Sequence, residues 1–454
     1  MRVIRISLAT GLLAAAACHS AVPVSPAPVP APASAAAGSR SAINRINHLV
    51  VIYLENRSFD NLYGEFAGAD GLSSPSASVK QVDGTNTPYT NLPQVNGSRF
   101  PTTLPNAPFD MTPYMPPTVA TGDLVHRYYQ EQAQINGGKM DRFVAVSNAK
   151  GQTMGHYRTA DLPVAAEAKQ YTLCDRFFHS AFGGSFFNHF FLVAAAPPVF
   201  PNATTGVAKV GPNGEMLMDG FVTPDGYVVN TAFTVNQPHP ANAPEAILVP
   251  NQMLPNIGDR MSESGVSWAW YSEGWDDALA GHPDSAFQFH HQPFAYFANY
   301  ADGTQAKKDH LKDEKEFFTA AAAGTLPQVS FVKPMDGHNE HAGEADIMMG
   351  ERHVIELINA VRNGPNWKDA AIIITYDENG GWWDHVAPPV IDRWGPGTRI
   401  PAVVISPFAK RGFVDHTQYE TSSILALIEK RWGVQPVGTR DAKAASMDNA
   451  FQNE

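Results

Sequence analysis

The chain has 454 residues and a net charge of −12, with only 17% of residues charged, below the ~25% of an average soluble domain. That acidic balance, with no run of Lys or Arg, excludes nucleic acid as the expected partner, because backbone phosphates are bound by basic patches. Gly and Pro, at 36 each, give the composition of a loop-rich globular enzyme, long enough to bury one large core.

Residues 1–20 read as an export signal: Arg2 and Arg5 precede an apolar stretch through Leu12 and Leu13 to Ala17, too short to span a bilayer. Cys18 directly follows four alanines, where a bacterial lipoprotein carries its lipidated cysteine. Residues 21–40 are mostly Pro, Ala, Ser and Val, a semi-extended tether. The protein is therefore expected to be exported, and either periplasmic, secreted or anchored to the envelope through a lipid on Cys18. No other membrane attachment is expected. Residues 41–454 are expected to form a single catalytic domain. The only other cysteine, Cys174, reads as a small buried apolar residue without an intramolecular disulfide.

The next element is a buried strand over residues 48–54 that runs into Glu55-Asn56. A continuous β-branched run without polar alternation marks a parallel strand covered on both faces. His126 follows in Asp123-Leu124-Val125-His126-Arg127. Gly183-Gly184 then breaks the chain before an apolar helix over 186–195, placing Ser185 at or near a helix N-terminus. Unpaired N–H groups and the positive end of the helix dipole suit a nucleophilic serine and an incoming phosphate. Serine is equally at home there as an N-cap, and the segment alone favours the cap. Asn188 and His189, at i+3 and i+4, are expected beside Ser185, with the Asn188 amide available to a phosphoryl oxygen.

Residues 201–255 read as an irregular insertion able to cover a site. Trp268, Trp270, Tyr271 and Trp275 could form a cage for a choline-like cation or pack a buried strand. His290-His291 follow, then a strand over 328–332 that leads to His338 and His341. Such histidines serve as metal ligands, phosphate donors or acids for a leaving group. The last buried strand, 370–376, runs into Asp377-Glu378-Asn379. Ligands bind outside the carboxyl ends of such strands, so two segments more than 300 residues apart are expected to bring oxygen ligands to one hard metal ion. Asp384-His385 is a weaker candidate, since sequence neighbours often point apart.

Five ordered motifs carry a family resemblance: Glu55-Asn56-Arg57-Ser58-Phe59-Asp60, the turn from Gly183 to His189, Asn339-Glu340-His341, the run from Asp377 to Val386, and the stretch from Gly397 to Phe408. Together they resemble the bacterial phosphoesterase family of phospholipases C and acid phosphatases that inhibit the respiratory burst. That family is alkaline-phosphatase-like, and the resemblance implies an α/β fold with a mostly parallel central sheet and helices on both faces. It further implies that Glu55, Asn56, Ser185, Asp377 and Glu378 hold one metal, that Ser185 is the nucleophile, and that His126, Asn188, His290, His291 and His341 line the phosphate pocket. His338 competes with His341 for that last place. Ser185 in Gly-Gly-Ser-Phe-Phe-Asn-His is similar to the acid phosphatase branch, whereas the phospholipases typically carry Thr followed by Pro-Asn-Arg. Asn379 stands where many relatives have His.

The expected activity is a metal-dependent acid phosphatase that hydrolyses small phosphate monoesters through a phosphoserine, with His341 or His290 protonating the leaving alcohol. The alternatives are a phospholipase C acting on phospholipid head groups and a catalytically silent surface lipoprotein. An oxygen-rich ligand set favours Ca²⁺, Mg²⁺ or Mn²⁺ over Zn²⁺, which prefers N and S donors.

Overall fold

The two β-branched runs of the sequence lie side by side at the middle of the main sheet, in the computed structural model of the chain. The structure describes residues 42–452; the expected signal 1–20, Cys18 and the tether 21–40 lie outside the described residues. The main sheet contains β1 (His48–Leu54), β2 (Thr172–Cys174), β3 (Trp268–Ser272), β4 (Leu311–Asp313), β5 (Val329–Lys333), β6 (Ala370–Tyr376), β7 (Ala402–Ile405) and β8 (Phe413–Asp415). Their spatial order is β4-β3-β5-β1-β6-β7-β2-β8. Strand β7 runs antiparallel to both of its neighbours, and the other pairings are parallel.

Every residue of β3, β5, β6 and β7 is buried. Successive side chains of a strand point to opposite faces, so both faces of the sheet must be covered. Four helices do much of this: α1 (Ser185–Ala194), α2 (Glu314–Ala323), α3 (Ile347–Arg362) and α4 (Ser422–Trp432). Helix α1 packs on α4, and α2 on α3. All ten residues of α1 are buried, as its nearly continuous apolar sequence demands. Helix α3 buries Ile347, Val354, Leu357, Ile358 and Val361, a helical stripe along one face. Each such side chain stabilises the fold by about 1.5–3 kcal/mol on burial.

The aromatic run of β3 belongs to this core and builds no cage. Trp270 stacks on Phe331 with ring centroids 5.3 Å apart, and Trp268 stacks on His310 at 4.2 Å. Trp275 and Tyr271 are also buried. Cys174 is fully buried on β2. Within 201–255 the pairings are short: Lys209–Val210 with Met216–Met218, Phe233–Thr234 with Leu248–Val249, and single bridges such as Val207 with Val222. No described helix is long and apolar enough to cross a membrane.

Candidate active site

β1 and β6 pair in parallel from His48 opposite Ala370 to Leu54 opposite Tyr376. Because the strands end level, Glu55-Asn56 and Asp377-Glu378 leave the sheet together. Backbone bonds continue past the ladder: Asp377 N donates to Leu54 O at 3.0 Å, and Arg57 N to Glu378 O at 3.0 Å. From the other side, β5 ends in Lys333 and its loop returns so that Asn339 O accepts from Glu55 N at 3.0 Å. Gly380 lies in the left-handed region, and a Cβ there would stand 2.4 Å from Asn56 O. Only glycine lets the two strand ends approach this closely.

Ser185 proves not to be an N-cap. Gly184 occupies that position, and Ser185 is the first residue of α1. Its Oγ is free of its own helix and donates to Glu55 Oε2 at 2.8 Å, with Asn56 Oδ1 at 3.2 Å. The turn before it is tight: Gly183 has φ +92, and a Cβ on it would lie 2.4 Å from Tyr128 N. Gly183 N donates to the buried Glu131 Oε2 at 2.5 Å, which also fixes the turn.

Asn188 departs from expectation. Its Oδ1 accepts from Ala181 N at 3.0 Å and its Nδ2 donates to Ala181 O at 2.9 Å. A side chain one turn into a helix points back toward the N-terminus, so the amide ties down the loop in front of Ser185 and does not reach the cavity. His189 is buried beneath the serine, its Nδ1 2.7 Å from Ser185 O.

The two oxygens of Glu55 face different partners. Oε1 meets the Lys333 ammonium and lies 2.8 Å from His291 Nε2, whereas Oε2 meets Ser185. Burial would raise this carboxyl, but Lys333 and then His291 outweigh it and hold it well below the usual range. Asp377 and Glu378 go the other way. Burial, and then the charge of Glu55 on Asp377 and of Asp377 on Glu378, pushes both well above it.

Asn56 sits among these groups. Its side-chain oxygen lies 2.9 Å from Glu55 Oε2, 3.2 Å from Asp377 Oδ1, 3.2 Å from Ser185 Oγ and 2.5 Å from Glu378 Oε1. Such a crowd of oxygens is repulsive unless the amide turns its NH₂ inward or a cation stands between them. Turned inward, the amide would also accept from His341 Nε2 at 2.7 Å. Asp377 Oδ2 is buried without a hydrogen-bond partner among the described residues. Three buried carboxylates, one of them with an orphaned oxygen, an amide and a hydroxyl fit a hard divalent cation, with Lys333 the countercharge already built in.

Ser185 and Glu55 open onto a cavity of about 450 Å³ lined also by His126, His290, His291 and His341. His126 Nδ1 lies 2.5 Å from Leu124 O, and its ring stands edge-on to His341, centroids 5.9 Å apart. Burial keeps His126 and His290 below the usual histidine range. His341 therefore takes the pocket position, whereas His338 faces a different cavity. Asn230 and Thr231 bring the 201–255 segment to the wall. Asp384 and His385 lie elsewhere: His385 Nδ1 contacts Asp60 Oδ2 at 2.7 Å, and Arg399 clamps Asp384 at 3.1 Å. Burial would lower His385, but Asp60 and Asp384 raise it to about 9.

Sequence reasoning missed Lys333, Glu131 and Asp336, the last on the cavity wall with its Oδ1 3.8 Å from His291 Nε2. The signal for Lys333 was present, a lysine ending the mostly apolar strand Val329–Lys333, where a buried cation needs a buried anion.

Residues 46–435 match the model of the phosphoesterase family. The chain belongs to that family. A non-hemolytic phospholipase C of Burkholderia pseudomallei is 25% identical to this phosphoesterase over 445 residues, covering 86% of the chain and 55% of the relative. Phospholipase C A of Mycobacterium tuberculosis is 25% identical over 448 residues, covering 89% and 77%. The chain thus spans about half the length of the Burkholderia relative. Among solved structures, an alkaline phosphatase superfamily protein from Vibrio parahaemolyticus has 10% identity, covers 76% of each chain and gives a TM-score of 0.35.

Proposed function

We propose that this phosphoesterase is an exported phospholipase C, with Ser185 as nucleophile and Glu55, Asn56, Asp377, Glu378 and the Ser185 oxygen as the holders of one divalent cation. The observation that carries the reading is the Ser185 hydroxyl, 2.8 Å from Glu55 Oε2 at the start of a buried helix that opens on the cavity. The names of its relatives support the lipid diester as substrate. When bound, the cation would supply Lewis-acid stabilisation of the serine oxygen and of phosphoryl charge.

The residues do the rest. Glu55 Oε2 orients the Ser185 proton, and the α1 N-terminus presents backbone N–H groups to the phosphoryl oxygens. Ser185 passes its proton to Glu55 Oε2, 2.8 Å away, as Oγ bonds to phosphorus and the diacylglycerol oxygen leaves with a proton from His341. Water then attacks phosphorus and gives its proton to His341, the Ser185 Oγ–phosphorus bond breaks, Oγ takes its proton back from Glu55, and the phosphorylated head group is released. His290 lines the same cavity, and burial pulls it below the usual histidine range, which favours His341 as the proton donor. The cavity lining contains no Trp, Tyr or Phe but does contain Asp123 and Glu344. A cationic head group would therefore meet carboxylates in place of an aromatic cage.

A second reading, a phosphomonoesterase, has one observation in its favour, the Gly-Gly-Ser-Phe-Phe-Asn-His context of Ser185. Initial rates on p-nitrophenyl phosphate and p-nitrophenylphosphorylcholine, with and without chelator and beside Ser185→Ala, separate the two. Preference for the diester supports the phospholipase; preference for the monoester replaces it with the phosphatase. We expect Ser185→Ala to lower kcat by at least about 10³-fold on either substrate. Export with lipid on Cys18 belongs to the same proposal, supported by the composition of residues 1–40, and fatty-acid labelling that survives Cys18→Ala would remove it.

A further inference from the structure

His338, three residues before the pocket histidine, is not spare. It lies in a separate cavity of about 580 Å³, with Glu273, Glu314 and His353. These side chains come from four places in the fold: Glu273 follows β3, Glu314 opens α2, His338 is on the loop after β5, and His353 is in the middle of α3. The two imidazoles are nearly parallel, 26° between planes with centroids 4.9 Å apart. His338 Nδ1 lies 2.7 Å from Glu273 Oε1, and His353 Nε2 lies 3.0 Å from Glu314 Oε2 and 3.1 Å from its Oε1. Donor atoms of Glu273, His338 and His353 all fall within 4.8 Å of one another. The backbone N–H of Met335 holds the other Glu273 oxygen at 3.0 Å, which aims Oε1 at the histidines.

We infer that Glu273, Glu314, His338 and His353 form a second divalent-cation site, separate from the one at Ser185 and of the imidazole-carboxylate type that suits zinc. Two imidazoles with one or two carboxylates are zinc's common nitrogen and oxygen donors. In a tetrahedral site with bonds of about 2.0–2.1 Å the ligand atoms stand roughly 3.3 Å apart, close to the 2.7 Å between His338 and Glu273 and the 3.0 Å between His353 and Glu314. The His338 side chain is 39% exposed, which gives an entry path from solvent. The site would also bear on catalysis at a distance. His338 precedes Asn339, whose carbonyl accepts from Glu55 N, and His341, so an ion bridging β3, α2 and α3 to this loop would hold the pocket's wall in place.

The test uses the full protein stripped of metal and retitrated with Zn²⁺. Bound zinc is counted by mass spectrometry after desalting, and affinity is read by competition with a chromophoric chelator. Wild type should hold one tight equivalent through desalting, because the oxygen-donor site at Ser185 binds zinc weakly. Asp377→Asn with Glu378→Gln should keep one, and His338→Gln with His353→Gln should lose that one, with affinity down at least 100-fold. X-ray absorption at the zinc edge of the Asp377→Asn, Glu378→Gln protein should show two imidazole ligands. Unchanged stoichiometry and affinity in the histidine variant, or a zinc shell without imidazole, would overturn the site and leave two plain His-Glu pairs. If the double histidine variant does not fold, His338→Gln alone must show the same loss of affinity, and its absence counts equally against the proposal.

Discussion

In the proposed mechanism Glu55 serves the structure and the reaction at once. Its Oε1 is committed to Lys333 and His291, which leaves Oε2 for Ser185. Removing the countercharge should expose what this arrangement costs. Lys333→Met leaves Glu55 buried without its ammonium countercharge, and urea unfolding should show a loss of about 3–5 kcal/mol. Glu340 is a second buried carboxyl, raised to about 7 by burial against the opposing Tyr376 hydrogen bond and Arg57 charge. Because its folded pKa lies above the unfolded value of about 4.3, the folded state binds the extra proton, and stability falls as pH rises between those values. Glu340→Gln keeps an acceptor for the Tyr376 hydroxyl, which lies 2.8 Å from Glu340 Oε2. The variant should match wild type near pH 4 and exceed it in stability at pH 7.5, as thermal unfolding across pH would show. Single residues were only partly legible in the sequence. Spacing placed Ser185 at a helix start and the acidic pairs at strand ends. It could not tell which way the Asn188 amide would point, nor that a lysine would be buried opposite Glu55, because both depend on chain segments remote in sequence.

At the scale of elements, strands were the most legible features. β1 and β6 carry an apolar run that only a doubly covered parallel strand requires, and the structure ends them at Leu54 and Tyr376, as read. The aromatic run of β3 was ambiguous, since a binding cage and a packed strand use the same side chains; its burial decides for packing. Gly183 is the weak joint of the α1 entry. Gly183→Ala places a side chain in the left-handed region at +92 against Tyr128, a strain of about 1–3 kcal/mol before any clash is relieved. We expect lower stability together with a fall in kcat larger than any change in KM, since the turn sets the position of Ser185. Equal loss of both in a protein of unchanged stability would contradict that role.

For the whole molecule, the proposed cation would be coupled to the fold. Asp377 and Glu378 hold protons tightly when no ion is present, so protons and cation compete for the same oxygens. The gain in Tm on adding a divalent ion should therefore widen from pH 5 to pH 8, and the part due to this site should vanish in Asp377→Asn with Glu378→Gln. At a free ion concentration of 100 Kd one such site contributes about 2.7 kcal/mol. The general architecture was readable because a mostly parallel sheet is announced by its buried strands. The path of 201–255 was not, because Asn, Pro and Gly fix turns without fixing where they go. The pairing of β1 with β6 also sets a timetable for the nascent chain. Glu55 emerges early, yet its partner strand ends only at Tyr376, so no shorter N-terminal fragment contains the whole reactive centre. Pairing strands this distant in sequence is slow, and in the proposed mechanism a newly made polypeptide gains its chemistry only after Glu378 has been synthesised and the two strands have met.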